Sequence, residues 1–145
     1  MKIEKDYIND KFFDEKREIS EIKYIVIKDI INSSATHYII INGKAIQKIP
    51  DKYTSKAVNG GKLNHFGFLH GICTKYNSIS IGIQDRLSAE DKEMCLKLVM
   101  ALKQRYNIKN DNVIRQMDIT GKCEPKAWHN FDIWNAELKE KLIDL

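Results

Sequence analysis

Few side chains in this 145-residue sequence are suited to chemistry, and their spacing sorts them. The histidines are His37, His65, His70 and His129; the cysteines are Cys73, Cys95 and Cys123. His65 and His70, in NHFGFLHG, stand at i and i+5, which does not share one helical face. Joined by Cys73 they would make a loop-borne metal site. Cys123 with a distant histidine would make a nucleophilic pair, but no third group offers itself to orient the base. His37 opens a β-branched run and His129 follows Trp128, both positions that suit packing.

The elements that must position these groups alternate between strands and helices. KYIVIK (23–28) is β-branched and short enough for a buried strand. HYIII (37–41) and KAIQKI (44–49) flank Asn42-Gly43, whose tolerance of positive φ suits a two-residue hairpin turn, and Pro50 ends the second strand. SISIGI (78–83) and NVIRQ (112–116) read as further strands. Ser88 caps a helix that runs to Asn107, with Asp91 three residues into it. Met94, Cys95, Leu98, Val99 and Leu102 make its core-facing stripe. A closing helix is predicted from Phe131 onward, with Ile133, Trp134, Leu138 and Leu142 inward. Residues 1–20 permit a short helix that packs Phe12 and Phe13 down. Asn32-Ser33-Ser34 reads as a turn, and 51–77 as a long loop region. The expected class is α/β, a mixed central sheet flanked by helices.

Composition excludes several function classes. A 43% hydrophobic content in one domain's length supports a real core and argues against disorder. Three cysteines make no disulfide framework. No run approaches the roughly 18 apolar residues of a membrane span. The net charge of +4 is scattered singly, as on a solvated surface. No Lys/Arg block interleaves with aromatics, which argues against nucleic acid as a partner. The start, MKIEKDYIND, lacks the apolar stretch of a signal peptide. We therefore expect a cytoplasmic protein, or one released from the cell by something other than the general secretory route.

Five pieces in order resemble one family. They are IVIK (25–28), THYIIINGKAIQKIP (36–50), NSISIGIQ (77–84), the 90–107 helix with its Arg-Tyr-Asn-Ile end, and VIRQMDITGKCEP (113–125). Together they resemble the zinc-dependent N-acetylmuramoyl-L-alanine amidases, whose fold phage amidase endolysins share with peptidoglycan recognition proteins. The resemblance implies a single domain of that type over 23–145, with 1–22 as an N-terminal extension packed on it. It also implies a zinc ion held by two histidines and a Cys or Asp, with a water that attacks the amide between the lactyl group and L-alanine.

This chain departs from that pattern at the ligands themselves. Lys28 stands where the strand should deliver the first histidine, Gln116 where the second should follow Arg115, and Glu124 at the third position. Gln84 replaces a carboxylate that often ends the Ser-Ile-Gly-Ile strand, Thr36 a tyrosine, and Asn59 a loop histidine, while Lys122 is retained. An ammonium has no lone pair and an amide oxygen is a weak zinc ligand, so no metal or cofactor is expected. The resemblance places Lys28 and Glu124 face to face where the metal would lie, with Gln116 bridging. In a second arrangement Lys28, Arg115 and Lys122 would converge on an anion.

Three functions follow. The first is an inactive amidase-fold protein that binds a peptidoglycan fragment or small anionic ligand in a cleft of Lys28, Thr36, Asn59, Gln84, Arg115, Gln116, Lys122 and Glu124. The second is a phage or bacterial cell-wall amidase with a non-standard site. The third is a regulatory role through a protein partner, such as a host protein.

Overall fold

The computed structural model describes residues 1–30, 35–58 and 67–143. Its strands are β1 (Ile3–Lys5), β2 (Tyr24–Asp29), β3 (Tyr38–Ile41), β4 (Lys44–Gln47), β5 (Ser78–Ile83) and β6 (Val113–Arg115). They form one sheet in the order β1-β4-β3-β5-β2-β6. Only β3 and β4 pair antiparallel; the other neighbours are parallel, so the sheet is mixed as expected. β2 and β5 lie side by side from Tyr24–Ser78 to Asp29–Ile83. Both are buried almost end to end, because a parallel strand covered on two faces has no solvent side.

The β3–β4 hairpin turns on Asn42 (φ 52°) and Gly43 (φ 71°), the paired left-handed residues of a two-residue turn. Gly43 N donates to Asp91 Oδ1 at 2.7 Å, which ties that turn to the first turn of α1 (Ala89–Tyr106). Helix α1 starts where Ser88 Oγ accepts from Asp91 N at 3.0 Å and stops at left-handed Asn107. Cys95, Leu98, Val99 and Leu102 are fully buried against the sheet. Each buried leucine of this kind contributes about 1.5–3 kcal/mol.

Three shorter helices follow: α2 (Met117–Thr120), α3 (Phe131–Trp134) and α4 (Glu140–Ile143), the last two joined by a π-helical turn, Asn135–Lys139. Trp134, Leu138 and Leu142 face inward at i, i+4 spacing. Ile133, expected inward, is 47% exposed, because it sits about 100° round the helix from that stripe. The N-terminal segment also differs from expectation. It holds β1 and two single 3-10 turns rather than a packed helix, and Phe12 is 65% exposed. An extended β1 satisfies backbone groups that β4 would otherwise leave at an open edge. Phe13 does pack, 4.8 Å from the Tyr53 ring and 6.5 Å from Tyr7.

Strand alternation gives the sheet two faces. Ile25, Ile27, Ile79, Ile81, Val113 and the two tryptophans meet α1 and the closing helices. Val26, Val58, Cys73, Ile114 and Ile119 make a smaller cluster on the other side. One buried polar residue fastens the sheet to its flanking loops. His37 N donates to Ser80 Oγ, and Ser80 N donates back to His37 Nδ1 at 3.1 Å. The ring proton therefore sits on Nε2, which donates to Tyr53 O at 2.7 Å. Arg17 Nη2 lies 3.2 Å from that same nitrogen.

Burial first, and then the Arg17 charge, hold the His37 pKa down to about 4. Below the ordinary histidine pKa the unfolded chain takes up a proton here that the folded chain refuses. Stability should therefore fall as pH drops from about 6.5 toward 4, by on the order of 3 kcal/mol from this residue. Urea midpoints at pH 7 and pH 4.5, with the His37 ring followed by NMR, check this. A His37 ring that titrates near pH 6.5 in the folded protein would refute it.

Candidate ligand-binding cleft

Lys28 sits next to the end of β2, paired in register with Gly82 of β5. Alternation from Val26 sends its side chain to the face away from α1. That side chain is only 4% exposed. Its Nζ donates to Ala57 O at 2.9 Å and lies 3.5 Å from Glu124 Oε1, the face-to-face arrangement expected from the sequence. The same carboxylate oxygen accepts from Asp29 N at 3.2 Å. One ammonium thus ties together β2, the 54–58 segment and the loop after α2. Gln116, just before α2, donates from Nε2 to Ala57 O at 3.4 Å. Its Oε1 is buried and has no hydrogen-bond partner among the described residues.

The walls are held by their own contacts. Ser55 Oγ donates to Ala35 O at 2.5 Å and accepts from Ala57 N at 3.1 Å, which orients the carbonyl that Lys28 uses. Gly67 N donates to Ile119 O and Leu69 N to Asp118 O, both at 2.9 Å. A Cβ at Gly67 would lie 2.1 Å from Asp118 O, so only glycine lets this loop approach α2. Asp29 Oδ1 accepts from Lys126 N at 3.0 Å. Burial pushes the Asp29 carboxyl above its ordinary pKa, and Glu124 beside it adds to the rise.

The remaining candidates are dispersed. Thr36 is buried and donates to Tyr38 O at 2.5 Å, beside the space where a Gly82 side chain would go. Gln84 is exposed one residue past β5 and lines a hollow of about 520 Å³ with Ile30, Ile41 and Ile83. Lys122 is exposed and pairs with no carboxylate among the described residues. Asn59 and His65 lie outside the described residues.

Arg115 corrects the anion-pocket arrangement. It pairs in register with Ile27, so it points to the helix face, opposite Lys28. There it donates to Trp128 O at 3.1 Å and His129 O at 2.8 Å, and stacks 5.7 Å from the Trp134 ring. Sequence reasoning missed Ala57 and Asp29 because each acts through a main-chain group, which side-chain type does not advertise. Cys73 is buried, and that burial pushes its thiol up to about 12, which does not suit a nucleophile. Cys123 is exposed.

These residues do not fit the zinc that the family resemblance implies. Structural and catalytic zinc takes thiolate, imidazole or carboxylate donors. Here one carboxylate stands with a protonated amine and an amide. Among the described residues no group of three or more His, Cys, Asp or Glu side chains could hold a metal ion.

No family model matches the sequence. No curated protein matches it either. Solved structures do share its fold. PlyL has a TM-score of 0.77 at 20% identity, over 98% of this chain and 97% of that one. The catalytic domain of PlyG, solved in solution, has a TM-score of 0.76 at 20% identity, over 99% and 94%. The N-acetylmuramoyl-L-alanine amidase LysC from Clostridium intestinale URNW has a TM-score of 0.63 at 14% identity, over 94% and 97%. The chain thus shares the fold of these proteins over nearly all of its length.

The pair's burial sets an energetic expectation. Removing only the cation leaves Glu124 with an uncompensated charge, so Lys28→Met should cost on the order of 3 kcal/mol. Replacing both, as Lys28→Met with Glu124→Leu, should recover most of that loss, as measured by urea unfolding of the three proteins. A double variant as unstable as the single one would show that the pair is not the unit.

Proposed function

We propose that this chain is a non-hydrolytic cell-wall-binding protein, an amidase-fold domain that holds a peptidoglycan fragment in the Lys28 cleft without cutting it. One observation carries the reading: the buried Lys28 ammonium, paired with Glu124 and hydrogen-bonded to Ala57 O, stands where the family resemblance would put the metal. A cation there repels a metal ion and can neither generate nor hold hydroxide. Glu124, the carboxylate nearest the floor, already accepts from Asp29 N and neutralises Lys28, so it is a poor general base. On β5, Gly82 opposite Lys28 carries no side chain that could replace it.

Recognition of a peptide-bearing ligand is supported by the groups left over. Gln116 Oε1 is a buried acceptor without a partner among the described residues. A buried acceptor left unpaired costs about 1–3 kcal/mol, which a ligand N–H would relieve. The choice of peptidoglycan rests on the fold neighbours, of which LysC is described as an N-acetylmuramoyl-L-alanine amidase.

Three measurements test this together. The protein should sediment with purified peptidoglycan, carry less than about 0.1 zinc per chain by elemental analysis, and release no L-alanine N-termini with or without chelator. Chelator-sensitive release would make it an enzyme. The triple variant Lys28→His, Gln116→His, Glu124→Cys should bind close to one zinc per chain, because it restores a tetrahedral donor set with one open position.

A further inference from the structure

A concavity lies on the helix face of the sheet, the face opposite Lys28. It measures about 390 Å³ and is lined by β1, the segment after β4 and the last turn of α1. From this geometry we infer a binding site for a small amphipathic anion: a carboxylate or phosphate head on an aromatic or short apolar body. The inference does not depend on what the Lys28 cleft binds.

The charge on the rim is the first argument. Lys5, Lys52 and Arg105 reach it from separate segments of the chain. The lining contains one carboxylate, Asp51, and it is already used internally. Its Oδ1 accepts from Tyr38 OH at 2.8 Å and Gln47 Nε2 at 3.2 Å, and its Oδ2 accepts from Tyr106 OH. Arg105 reaches Oδ2 through Nη1 alone, at 3.4 Å, with half its side chain exposed. Lys5 has no ion pair among the described residues, although its neighbours Glu4 and Asp6 pair with Lys44 and Lys48. Strand alternation explains the contrast, since it turns Lys5 to the opposite face from Glu4. Cations from three segments therefore surround a hollow whose own anion is spent, an arrangement that complements a ligand's negative charge.

The walls are the second argument. Tyr7 and Ile19 are large apolar side chains, 42% and 51% exposed, and both border the hollow. The Tyr7 ring is fixed in place, with its hydroxyl 3.4 Å from Gln47 Oε1 and its edge against Phe13. An aromatic wall beside Lys5 and Lys52, neither of them in an ion pair among the described residues, suits a ligand with an apolar body and a charged head. The volume falls at the lower end of small-molecule sites.

The test is an amide NMR titration of the whole chain with phenyl phosphate and, separately, benzoate. Saturable shifts should centre on Lys5, Tyr7, Lys52 and Tyr106. Lys5→Gln with Lys52→Gln should weaken binding about tenfold, the loss expected for charge-assisted contacts. Lys109→Gln, a cation elsewhere on the surface, should leave it unchanged, and thermal unfolding will verify that each variant is folded. Benzyl alcohol, which lacks the charge, and inorganic phosphate, which lacks the body, should each bind about tenfold more weakly than phenyl phosphate. Whichever head group binds tighter identifies the anion. Non-saturating shifts spread over the lysines, an unaffected double variant, or equal binding of either half-probe would overturn the assignment.

Discussion

A buried ammonium is the constraint on which the cleft depends. Lys28 is delivered by a central strand to a place with almost no water, where an unpaired charge would be prohibitively costly. The protein meets the cost with one carbonyl, Ala57 O, and one carboxylate, Glu124, from parts of the chain 29 and 96 positions further on. Each partner must be held still for the charge to be satisfied, so the demand propagates outward. Ser55 fixes the carbonyl through Ala35 and Ala57. The Asp29 amide fixes the carboxylate. Loops that would otherwise have only a small apolar cluster beneath them are thereby given a defined position.

The two faces of the sheet handle buried polarity differently. On the helix face Arg115 is buried with no facing carboxylate from another element beyond Asp118, and its charge rests on main-chain carbonyls and the Trp134 ring. On the opposite face His37, bonded to Ser80, stays neutral, because burial first and then the Arg17 charge penalise its protonation. Elsewhere on that same face, charge is matched by charge at Lys28 and Glu124. The first two arrangements brace the fold and leave nothing for a ligand. The third leaves Gln116 Oε1 buried without a hydrogen-bond partner among the described residues.

Much of the fold was legible because it follows local rules. The Asn42-Gly43 hairpin, the Ser88 cap and the SISIGI strand each depend on residues adjacent in sequence. The N-terminal strand was not legible, since three residues, Ile3–Lys5, carry no period of their own and form a strand only because β4 offers an edge. Site residues divide in the same way. Lys28, Gln116 and Glu124 meet because the family resemblance assigned each to the right strand or loop. Arg115 precedes Gln116 by one position, yet strand parity turns it to the other face. Counting by twos from Val113 turns Arg115 toward the tryptophans, a deduction that requires the register with Ile27.

The fold's indifference to the chemistry of its cleft has a physical basis. The larger cluster, on the helix face, contains the long strands, α1 and both tryptophans, and none of the cleft side chains. Most of the apolar burial that drives folding is therefore complete without reference to what occupies the floor around Lys28. What the floor requires is local electrostatic balance, and a monocation facing one carboxylate meets that requirement as a dication facing more ligands would. The ammonium that donates to Ala57 O and faces Glu124 keeps the loops around it in place. Architecture and reactivity are separable here, since they draw on different faces of one sheet.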